Sequence, residues 1–465
     1  MSVFSYLQKY LKEILLFLVF AITAFLMINY NFWLMGLIFL VIILIYVLSY
    51  KLEWGLYLMV LFYPFIDWQI YLTSEINLPP VDLLAIILAI AYVVSIIRNN
   101  KIFQTRFPFL IPFLLFFVVC AISLLSSYFV ETNLKYLFRP ILFVYLMYVV
   151  LPYNIVTSKK VLFRVLGIMV FWGVIISLMS LASLFLNYGE SHTFLRAKPL
   201  TFGNFQPLGS NQNLLAELLI TIIPLGLILI QRYKKYSNYF YFLIVGTALM
   251  VLTSLLTFSR ASWLILCMQF FVLLFFILPV FYQKQLYLKK LRDFFVNYFW
   301  ILFIMVIPFV IAMWQLMHSQ IISSSNANRL FQWQIGWEMF KSQPLLGTGL
   351  GSFISILNRD PYYFYEFGMN LEAHGLILKL ISEVGLLGLI AFTVFLLTIL
   401  ISSLKLLAKL KKESFKFFTL SCLLLSAFSI VIFQLFNTSY YTAKMWLPLG
   451  ILIVGYKIYD LSRAK

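Results

Sequence analysis

The sequence has few charged side chains, and this shortage excludes a soluble protein. Charged residues make up only 11% of the 465 residues, whereas 63% are hydrophobic, and the mean hydropathy is +0.99. A typical soluble domain is about 25% charged and about 45–50% apolar. The polar side chains are too few to cover even one large globule, so lipid must solvate most of the chain. We therefore predict an all-α, polytopic membrane protein.

Cysteine is also scarce, and the usual metal-ligand patterns are missing. Cys120, Cys267 and Cys422 each lie inside a long apolar run, and none has the C-x-x-C spacing of a metal or redox motif. The three thiols are therefore predicted to be small core residues. The three histidines are scattered, and the sequence contains no D-x-D or H-E-x-x-H motif. We predict no metal site and no cofactor.

Acidic residues number 16 against 34 basic ones, which gives a net charge of +18. Lys and Arg favour the cytoplasmic side of short membrane loops, and here they cluster at both termini and at every second connection. Assigning these segments to the cytoplasm places +19 on that face and −1 on the outer face. The excess charge thus indicates topology, with both termini in the cytoplasm, and it does not indicate a nucleic-acid partner.

Runs of about 20 mostly apolar residues are long enough to span a membrane. The first three of the candidate runs are short and interrupted by Asn29, Asn31 and Pro64, so we predict about 12–14 transmembrane helices. The run after Lys9 and Lys12 lacks a convincing signal-peptide cleavage site and is predicted to be an uncleaved first span. The candidates are 14–29, 32–50, 54–71, 82–98, 108–128, 136–151, 162–186, 213–231, 239–257, 261–282, 298–316, 375–402, 416–436 and 444–460.

Only two substantial polar segments interrupt this pattern, and both fall on the predicted outer side. They are an outer loop at 187–212 and a large outer loop at 317–374, and together they contain all three histidines. No internal repeat or soluble linker divides the chain. We predict a single integral membrane domain over 1–465 that performs its chemistry at the outer face.

Arginines on the predicted outer side run against the charge bias and require an explanation. Arg260 lies between two spans with almost no loop, so it must snorkel, pair with Glu372 or Glu383, or bind an anion. Arg329 stands at the predicted start of a helix, where the macrodipole disfavours a cation. Arg196 belongs to the earlier outer segment. All three are candidate anion ligands.

A helix with one apolar face is predicted after Arg329. Leu330, Trp333, Trp337 and Phe340 recur at i, i+3, i+7 and i+10, which places them on one side. Two tryptophans on that face suit the headgroup level of a bilayer. We therefore predict an interfacial helix within the large outer loop.

Three alternating glycines at 347, 349 and 351 follow Pro344, which ends this helix. Such glycines permit tight turns and exposed backbone N–H groups that can hold a phosphate. A dinucleotide site is excluded, because no strand precedes the glycines and no βαβ unit surrounds them. A packed turn is the favoured interpretation, and a phosphate cradle is the alternative.

His374 follows Glu372 and directly precedes the predicted span at 375–402. A histidine at a span entrance is usually a structural residue, but it titrates near neutrality and can act as a general base. Glu383 lies nine residues further on, about 13 Å along a helix. An acidic side chain inside a span is usually paired or functional. Asn211 and Asn213, at the start of the eighth candidate span, suit helix capping.

In their order and spacing, these motifs resemble those of the bacterial O-antigen ligase / polysaccharide polymerase superfamily. The resemblance covers about 195–390, which we define as the motif region. Two positions differ, since the superfamily often has His-Asn in place of His374-Gly375 and Pro-Asn in place of Gln212-Asn213. The matching elements are Asn211 to Ala216, Ser259-Arg260-Ala261, Arg329 to Trp333, Pro344 to Phe353, and His374 to Gly388.

The resemblance implies a membrane glycosyltransferase that works without a metal. Such an enzyme transfers a glycan from an undecaprenyl-diphosphate carrier to a glycan, lipid or protein acceptor. The reaction takes place at the outer face of the bacterial cytoplasmic membrane, in the synthesis of cell-surface polysaccharide.

Roles for the candidate residues follow from this implied reaction. Arginine remains charged and binds phosphate through a planar fork, so Arg260 and Arg329 are expected to clamp the diphosphate, with Arg196 assisting. His374 is expected to accept the proton of the acceptor hydroxyl. Either Glu372 or Glu383 is expected to orient that histidine.

Other interpretations remain open at this point. Within the superfamily the motifs do not separate a ligase from a polymerase. A transporter or flippase of lipid-linked sugars would place charged residues and broken helices near the middle of the membrane, whereas the polar residues here lie on one side. A structural partner in a polysaccharide assembly complex would leave the outer arginines without a purpose.

Overall fold

The computed structural model describes residues 32–71, 77–99, 104–127, 129–186, 196–201, 206–209, 211–234, 236–281, 320–367 and 374–460. Two short antiparallel strands, Ile70–Tyr71 and Asn77–Leu78, pair with Ile70 opposite Leu78. The helices are α1 Phe32–Tyr50, α2 Leu52–Leu61, α3 Pro80–Arg98, α4 Leu110–Ser123, α5 Val130–Ile155, α6 Lys159–Leu186, α7 Gln212–Tyr233, α8 Ser237–Leu256, α9 Arg260–Phe281, α10 Gln320–Ser342, α11 Ser352–Leu357, α12 Pro361–Phe367, α13 Leu376–Glu383, α14 Gly385–Lys409, α15 Phe415–Phe433 and α16 Ala443–Tyr459.

Membrane-spanning helices dominate the described part of the chain. Eight of its helices, α3, α5 to α9, α14 and α15, are long and apolar enough to cross a bilayer. The prediction of an all-α polytopic membrane protein is therefore confirmed. The candidate spans at 14–29 and 298–316 lie outside the described residues, so the predicted total of 12–14 stays a prediction.

The candidate spans at 32–50 and 54–71 form one bent pair. Helices α1 and α2 meet at Lys51 with a bend of 120°, as in a broken span or a re-entrant loop. Helix α2 has only 10 residues and ends at Leu61, because Pro64 begins a short 3-10 turn there. The prediction of an independent span over 54–71 is therefore wrong.

The candidate span at 375–402 is also divided. It consists of the short helix α13 and the long helix α14, with a break at Val384. Gly385 adopts φ +65°, and its position leaves no room for a side chain against the carbonyl of Leu345. The break is thus fixed by a segment that is distant in the sequence, which explains why hydropathy did not reveal it.

Buried helices form the centre of the bundle. Helix α7 packs against α15, α8 and α6, and α16 is buried along nearly its whole length. Helices α7 and α8 run antiparallel, with Gly226 directly against Thr247. Cys120 and Cys422 are buried as predicted, whereas Cys267 is exposed on the outside of α9, so its assignment to the core is wrong.

Basic residues gather at one end of this bundle, which we call the basic end (the connections at 104–109, 156–158 and 410–414). The side-chain amide of Asn154 donates there to the carbonyl of Arg106 at 2.8 Å, and Lys457 Nζ donates to the carbonyl of Val156 at 3.1 Å. The opposite end, which we call the site end, contains the residues at 62–71 and 77–79 and the connections at 257–259 and 434–442. The Tyr63 hydroxyl donates to the carbonyl of Lys444 there at 3.1 Å.

Candidate functional site

Two of the predicted arginines lie together at the site end. Arg260 is the first residue of α9, and its guanidinium donates to Asn326 Oδ1 of α10 at 3.2 Å. Asn326 and Arg329 are three residues apart on α10, which places them on neighbouring positions of one helical face. The charge of Arg260 and partial burial both lower the pKa of Arg329, with burial the larger cause. Two cations therefore face the same space.

Arg329 is held in an unusual environment for a cation. Its Nε atom is buried and has no hydrogen-bond partner among the described residues. A buried donor without a partner costs about 1–3 kcal/mol, and more when the group is charged. A ligand with acceptor oxygens and negative charge would satisfy this atom and reduce the repulsion from Arg260.

The position of Arg329 within its helix differs from the prediction. Helix α10 begins at Gln320, so Arg329 lies in its third turn and not at its start. Serine and asparagine at 323–326 and 328 have the composition of a cap or loop, and this hid the first turns of the helix. The macrodipole argument for Arg329 is therefore wrong, and its unsatisfied Nε replaces that argument.

His374 is fixed to α10 by a buried glutamine. The backbone N–H of His374 donates to Gln332 Oε1 at 2.8 Å, and Gln332 is fully buried one turn after Arg329. The amide of Gln332 in turn donates to the Tyr363 hydroxyl at 3.2 Å, which donates to Asn328 Oδ1 at 3.2 Å. This network sets the position of the histidine relative to the arginine.

The imidazole of His374 is neutral at physiological pH. Burial and, secondarily, the positive charge of Arg329 lower its pKa from 6.5 to about 4. Arg329 lies one helical turn before Gln332, the residue that accepts the His374 N–H. A neutral imidazole has a nitrogen lone pair that can accept a proton.

Close packing between α10 and α13 maintains this arrangement. Gly336 lies against Leu378, so closely that a β-carbon at Gly336 would stand 2.5 Å from Leu378 Cδ1. The contacts Gln332 to His374 and Gly336 to Leu378 share one sequence offset, so the two helices run parallel. Arg329 therefore lies one turn before the level of His374.

The opposite face of α10 is exposed. Leu330 is 63% exposed, and Trp333 and Trp337 are 45% and 48% exposed. These are residues of the apolar face predicted from the sequence, and α10 turns them away from α13. Their exposure is what an interfacial helix requires, and contact with the membrane surface stays a prediction.

The glycine segment is a packed turn, in agreement with the favoured interpretation. The N–H groups of Thr348 and Gly349 donate to the carbonyls of Ser382 and Glu383 at 3.0 and 2.9 Å. Leu386 N–H donates to the carbonyl of Pro344 at 2.9 Å. The turn thus satisfies the backbone groups released where α13 ends and α14 begins. Its own N–H groups are used for this purpose, so a phosphate cradle at 347–349 is not what forms here.

The two candidate glutamates have different outcomes. Glu372 lies outside the described residues. Glu383 is fully buried at the far end of α13, about 10 Å of helical rise from the His374 end. Its Oε1 accepts the Phe353 N–H at 3.2 Å and lies 3.5 Å from Lys379 Nζ. These contacts place Glu383 in the support of the glycine turn.

Arg196 lies at the same junction as Arg260. The N–H of Ala197 donates to the carbonyl of Leu256 at 2.8 Å, at the end of α8 and four residues before Arg260. Lys198 is held in the same segment by Ser183, whose hydroxyl accepts its N–H at 3.2 Å. Burial lowers the pKa of Arg196. The backbone of Arg196 is thus placed beside the arginine pair.

Sequence reasoning missed Gln332 and its network with Tyr363 and Asn328. Little in the sequence indicated this role. Glutamine is mostly exposed in proteins, so the burial of Gln332 on a helix with exposed tryptophans was not expected. Its partner His374 is 42 residues away, and no sequence pattern links the two. The predicted cap at Asn211 is confirmed, because its Oδ1 accepts the Asn213 N–H at 2.8 Å.

Most residues of this candidate site lie in a segment that matches a known protein family. Residues 245–393 match the family model described as O-antigen ligase. The matched region contains Arg260, Arg329, Gln332, His374 and the glycine turn. No curated protein matches the chain.

Proposed function

We propose that this chain, whose residues 245–393 match the O-antigen ligase family, transfers a glycan from undecaprenyl diphosphate to an acceptor hydroxyl. The acceptor is a second carrier-linked glycan, a lipid or a protein. The observation that carries the proposal is the pair Arg260 and Arg329 beside a neutral His374. Two fixed cations and a proton acceptor are the groups that this reaction needs.

The arginine pair suits the diphosphate of the carrier. A diphosphate gains negative charge as the glycosyl bond breaks, so preorganised cations lower the barrier. The buried Nε of Arg329 and the planar guanidinium of Arg260 offer donors with the geometry that phosphate oxygens accept. Arg196, fixed beside the same junction, assists. Because the arginines provide the positive charge, we expect activity without a divalent metal.

The reaction is a displacement at the anomeric carbon. The acceptor oxygen forms a bond to this carbon, and the bond from the carbon to the phosphate oxygen breaks. Undecaprenyl diphosphate leaves with the bonding electron pair, and the acceptor proton passes to the His374 imidazole. Glu372 is the candidate for orienting the imidazole, because Glu383 is engaged at the other end of α13.

Donor binding prepares His374 for this step. Burial and, secondarily, the charge of Arg329 lower the pKa of His374. A bound diphosphate offsets that charge, so the pKa of His374 rises and the imidazole becomes a stronger base. The base is thus most effective when the donor is in place.

The site end is proposed to face outward, across the cytoplasmic membrane of a bacterium. The basic end, defined above by its connections at 104–109, 156–158 and 410–414, lies at the other end of the bundle, and basic connections favour the cytoplasm. This orientation gives the enzyme access to carrier-linked glycans after they have crossed the membrane.

A reconstituted transfer assay tests the proposal. The purified chain in nanodiscs is supplied with an undecaprenyl-diphosphate-linked oligosaccharide, with and without EDTA, and free undecaprenyl diphosphate is measured. Release of carrier coupled to acceptor glycosylation is expected at the same rate in both conditions. A ladder of products indicates a polymerase and a single product indicates a ligase. Transfer of intact donor between leaflets in liposomes, without cleavage, would establish a flippase instead.

A further inference from the structure

Three charged side chains that play no part in the proposed chemistry meet at the site end, inside the bundle. We call Asp67, Glu217 and Lys444 the buried cluster. Lys444 Nζ lies 2.6 Å from Asp67 Oδ2 and 3.8 Å from Glu217 Oε2. Glu217 is fully buried and Lys444 is 1% exposed. Ionisable groups buried among membrane helices are rare and usually have a function.

The carboxylate of Glu217 organises the 434–442 loop between α15 and α16. Its Oε1 accepts the side-chain amide of Gln434 at 2.7 Å and also the hydroxyl of Ser439. Its Oε2 accepts the amide of Asn437 at 3.4 Å. Three donors from one loop thus converge on a single carboxylate. A neutral side chain at position 217 could not accept all three.

The same loop holds the chain directly after His374. The Gly375 N–H donates to Thr438 Oγ1 at 3.0 Å, and the Leu376 N–H donates to the carbonyl of Gln434 at 2.7 Å. Gly375 adopts φ +116°, and a β-carbon there would stand 3.1 Å from the carbonyl of Leu435. The start of α13 is therefore seated closely on the loop.

His374 is consequently held from two sides. Gln332 of α10 accepts its own N–H, and the 434–442 loop accepts the next two N–H groups. We infer that Glu217 is a positioning residue for His374, acting through Gln434 and Thr438. The inference rests on the proposed function, because it assumes that the place of His374 limits turnover.

Variants of Glu217 in the reconstituted assay test this role. Glu217→Gln keeps the shape but loses the charge, so the three donors can no longer all be accepted and the loop shifts. A displacement of about 1 Å at a catalytic group can cost about a hundredfold in rate. We expect kcat to fall by about ten- to a hundredfold, with the donor KM unchanged, and Glu217→Asp to recover part of the loss.

Two further variants separate positioning from general stability. Thr438→Val removes the acceptor of the Gly375 N–H and leaves Asp67, Glu217 and Lys444 in place, so a smaller fall in kcat is expected. Gln269→Leu is the matched control. Gln269 is buried and donates to the Ile220 carbonyl at 2.7 Å and to Ser429 at 2.8 Å, so it joins the same helices without contacting the loop.

The outcomes distinguish the two proposals. If Glu217→Gln loses kcat while Gln269→Leu, with an equal loss of thermal stability, retains it, Glu217 acts by positioning. If both variants lose activity in proportion to stability, or if Glu217→Gln raises KM and leaves kcat unchanged, the positioning role is wrong. If the wild-type chain releases no carrier at all, the proposed function fails before this question arises.

Discussion

At the scale of single residues, Arg329 gives the strongest indication of an anion-binding site. Its Nε is buried without a partner among the described residues, and Arg260 lies close enough to repel it. The arrangement is explained if an anion with several acceptor oxygens occupies the space between the two arginines.

Replacing Arg329 by lysine tests whether the planar guanidinium of Arg329 is needed to bind the diphosphate. Lysine keeps the charge but loses the planar donors, so Arg329→Lys should weaken binding of undecaprenyl diphosphate by tenfold or more, or about 1.4 kcal/mol. Isothermal titration in nanodiscs measures this. Arg359→Lys is the control. The guanidinium carbon of Arg359 lies 4.5 Å from the centre of the Phe129 ring, so this arginine is not part of the pair Arg260 and Arg329. Equal affinities for the two variants would contradict the clamp.

The low pKa of His374 predicts a shift between two pH profiles. The free enzyme binds no proton at His374 until the pH falls to about 4, so the acid limb of kcat/KM should lie near that value. With donor bound, the charge of Arg329 is offset, so the acid limb of kcat should lie at higher pH. Acid limbs of kcat and kcat/KM at the same pH would show that the charge of Arg329 does not act on His374.

At the scale of elements, the glycine turn determines how α13 and α14 meet. The turn closes the break at Val384 by accepting and donating backbone hydrogen bonds from both helices. Gly347 adopts φ +70°, and a β-carbon there would overlap the backbone of Glu383. The turn and the break therefore depend on each other.

An alanine at Gly347 should disrupt this junction. We expect Gly347→Ala to destabilise the protein by about 1–3 kcal/mol, because it combines a left-handed φ with a steric overlap. Thermal unfolding in detergent measures the effect. Gly167→Ala is the control, since a β-carbon at Gly167 would meet nothing within 4 Å and should be neutral or slightly stabilising. Equal melting temperatures would mean that the turn is dispensable.

The sequence was sufficient for the type of each element but not for its breaks. Hydropathy correctly predicted most of the long helices, because 20-residue apolar runs have few alternatives in lipid. It did not predict the break within 375–402. The sequence pattern also placed the start of α10 at Arg329, whereas the helix begins at Gln320. The first break is fixed by Gly385 against Leu345, and the early start of α10 occurs in a serine- and asparagine-rich segment. Both depend on contacts across the chain that a local pattern does not contain.

For the site itself, the predicted set was partly sufficient. Arg260 and Arg329 were chosen because charge on the outer side needs a reason, and His374 because it can act as a general base. The structure brings the three together. Gln332 and the buried cluster of Asp67, Glu217 and Lys444 were not chosen. Lys444 offered the same signal as the arginines, a cation on the nearly neutral side, but its carboxylate partners could be found only in three dimensions.

At the scale of the whole molecule, charge divides the bundle into two ends. Among the described residues, the basic end contains most of the lysines and arginines, and the site end contains those that are buried, paired or grouped around His374. Lysine and arginine are retained on the cytoplasmic side of membranes, so we propose that the basic end faces the cytoplasm.

Cysteine labelling in cells tests that orientation. In a variant without Cys120, Cys267 and Cys422, the substitution Glu366→Cys at an exposed position should make the protein react with an impermeant maleimide from outside. The substitution Lys412→Cys at the basic end should give labelling only after the membrane is permeabilised. The reverse pattern would place the site on the cytoplasmic face and contradict the proposed reaction.

The most direct test of the diphosphate clamp and its general base compares binding with turnover in the same purified variants. Undecaprenyl-diphosphate binding and glycan transfer are measured for Arg260→Ala, Arg329→Ala and His374→Ala in nanodiscs. We predict that both arginine variants lose binding and transfer together, whereas His374→Ala binds the carrier normally and loses transfer by about 10²–10⁴-fold. Folded variants that all bind and transfer like the wild type would contradict both roles.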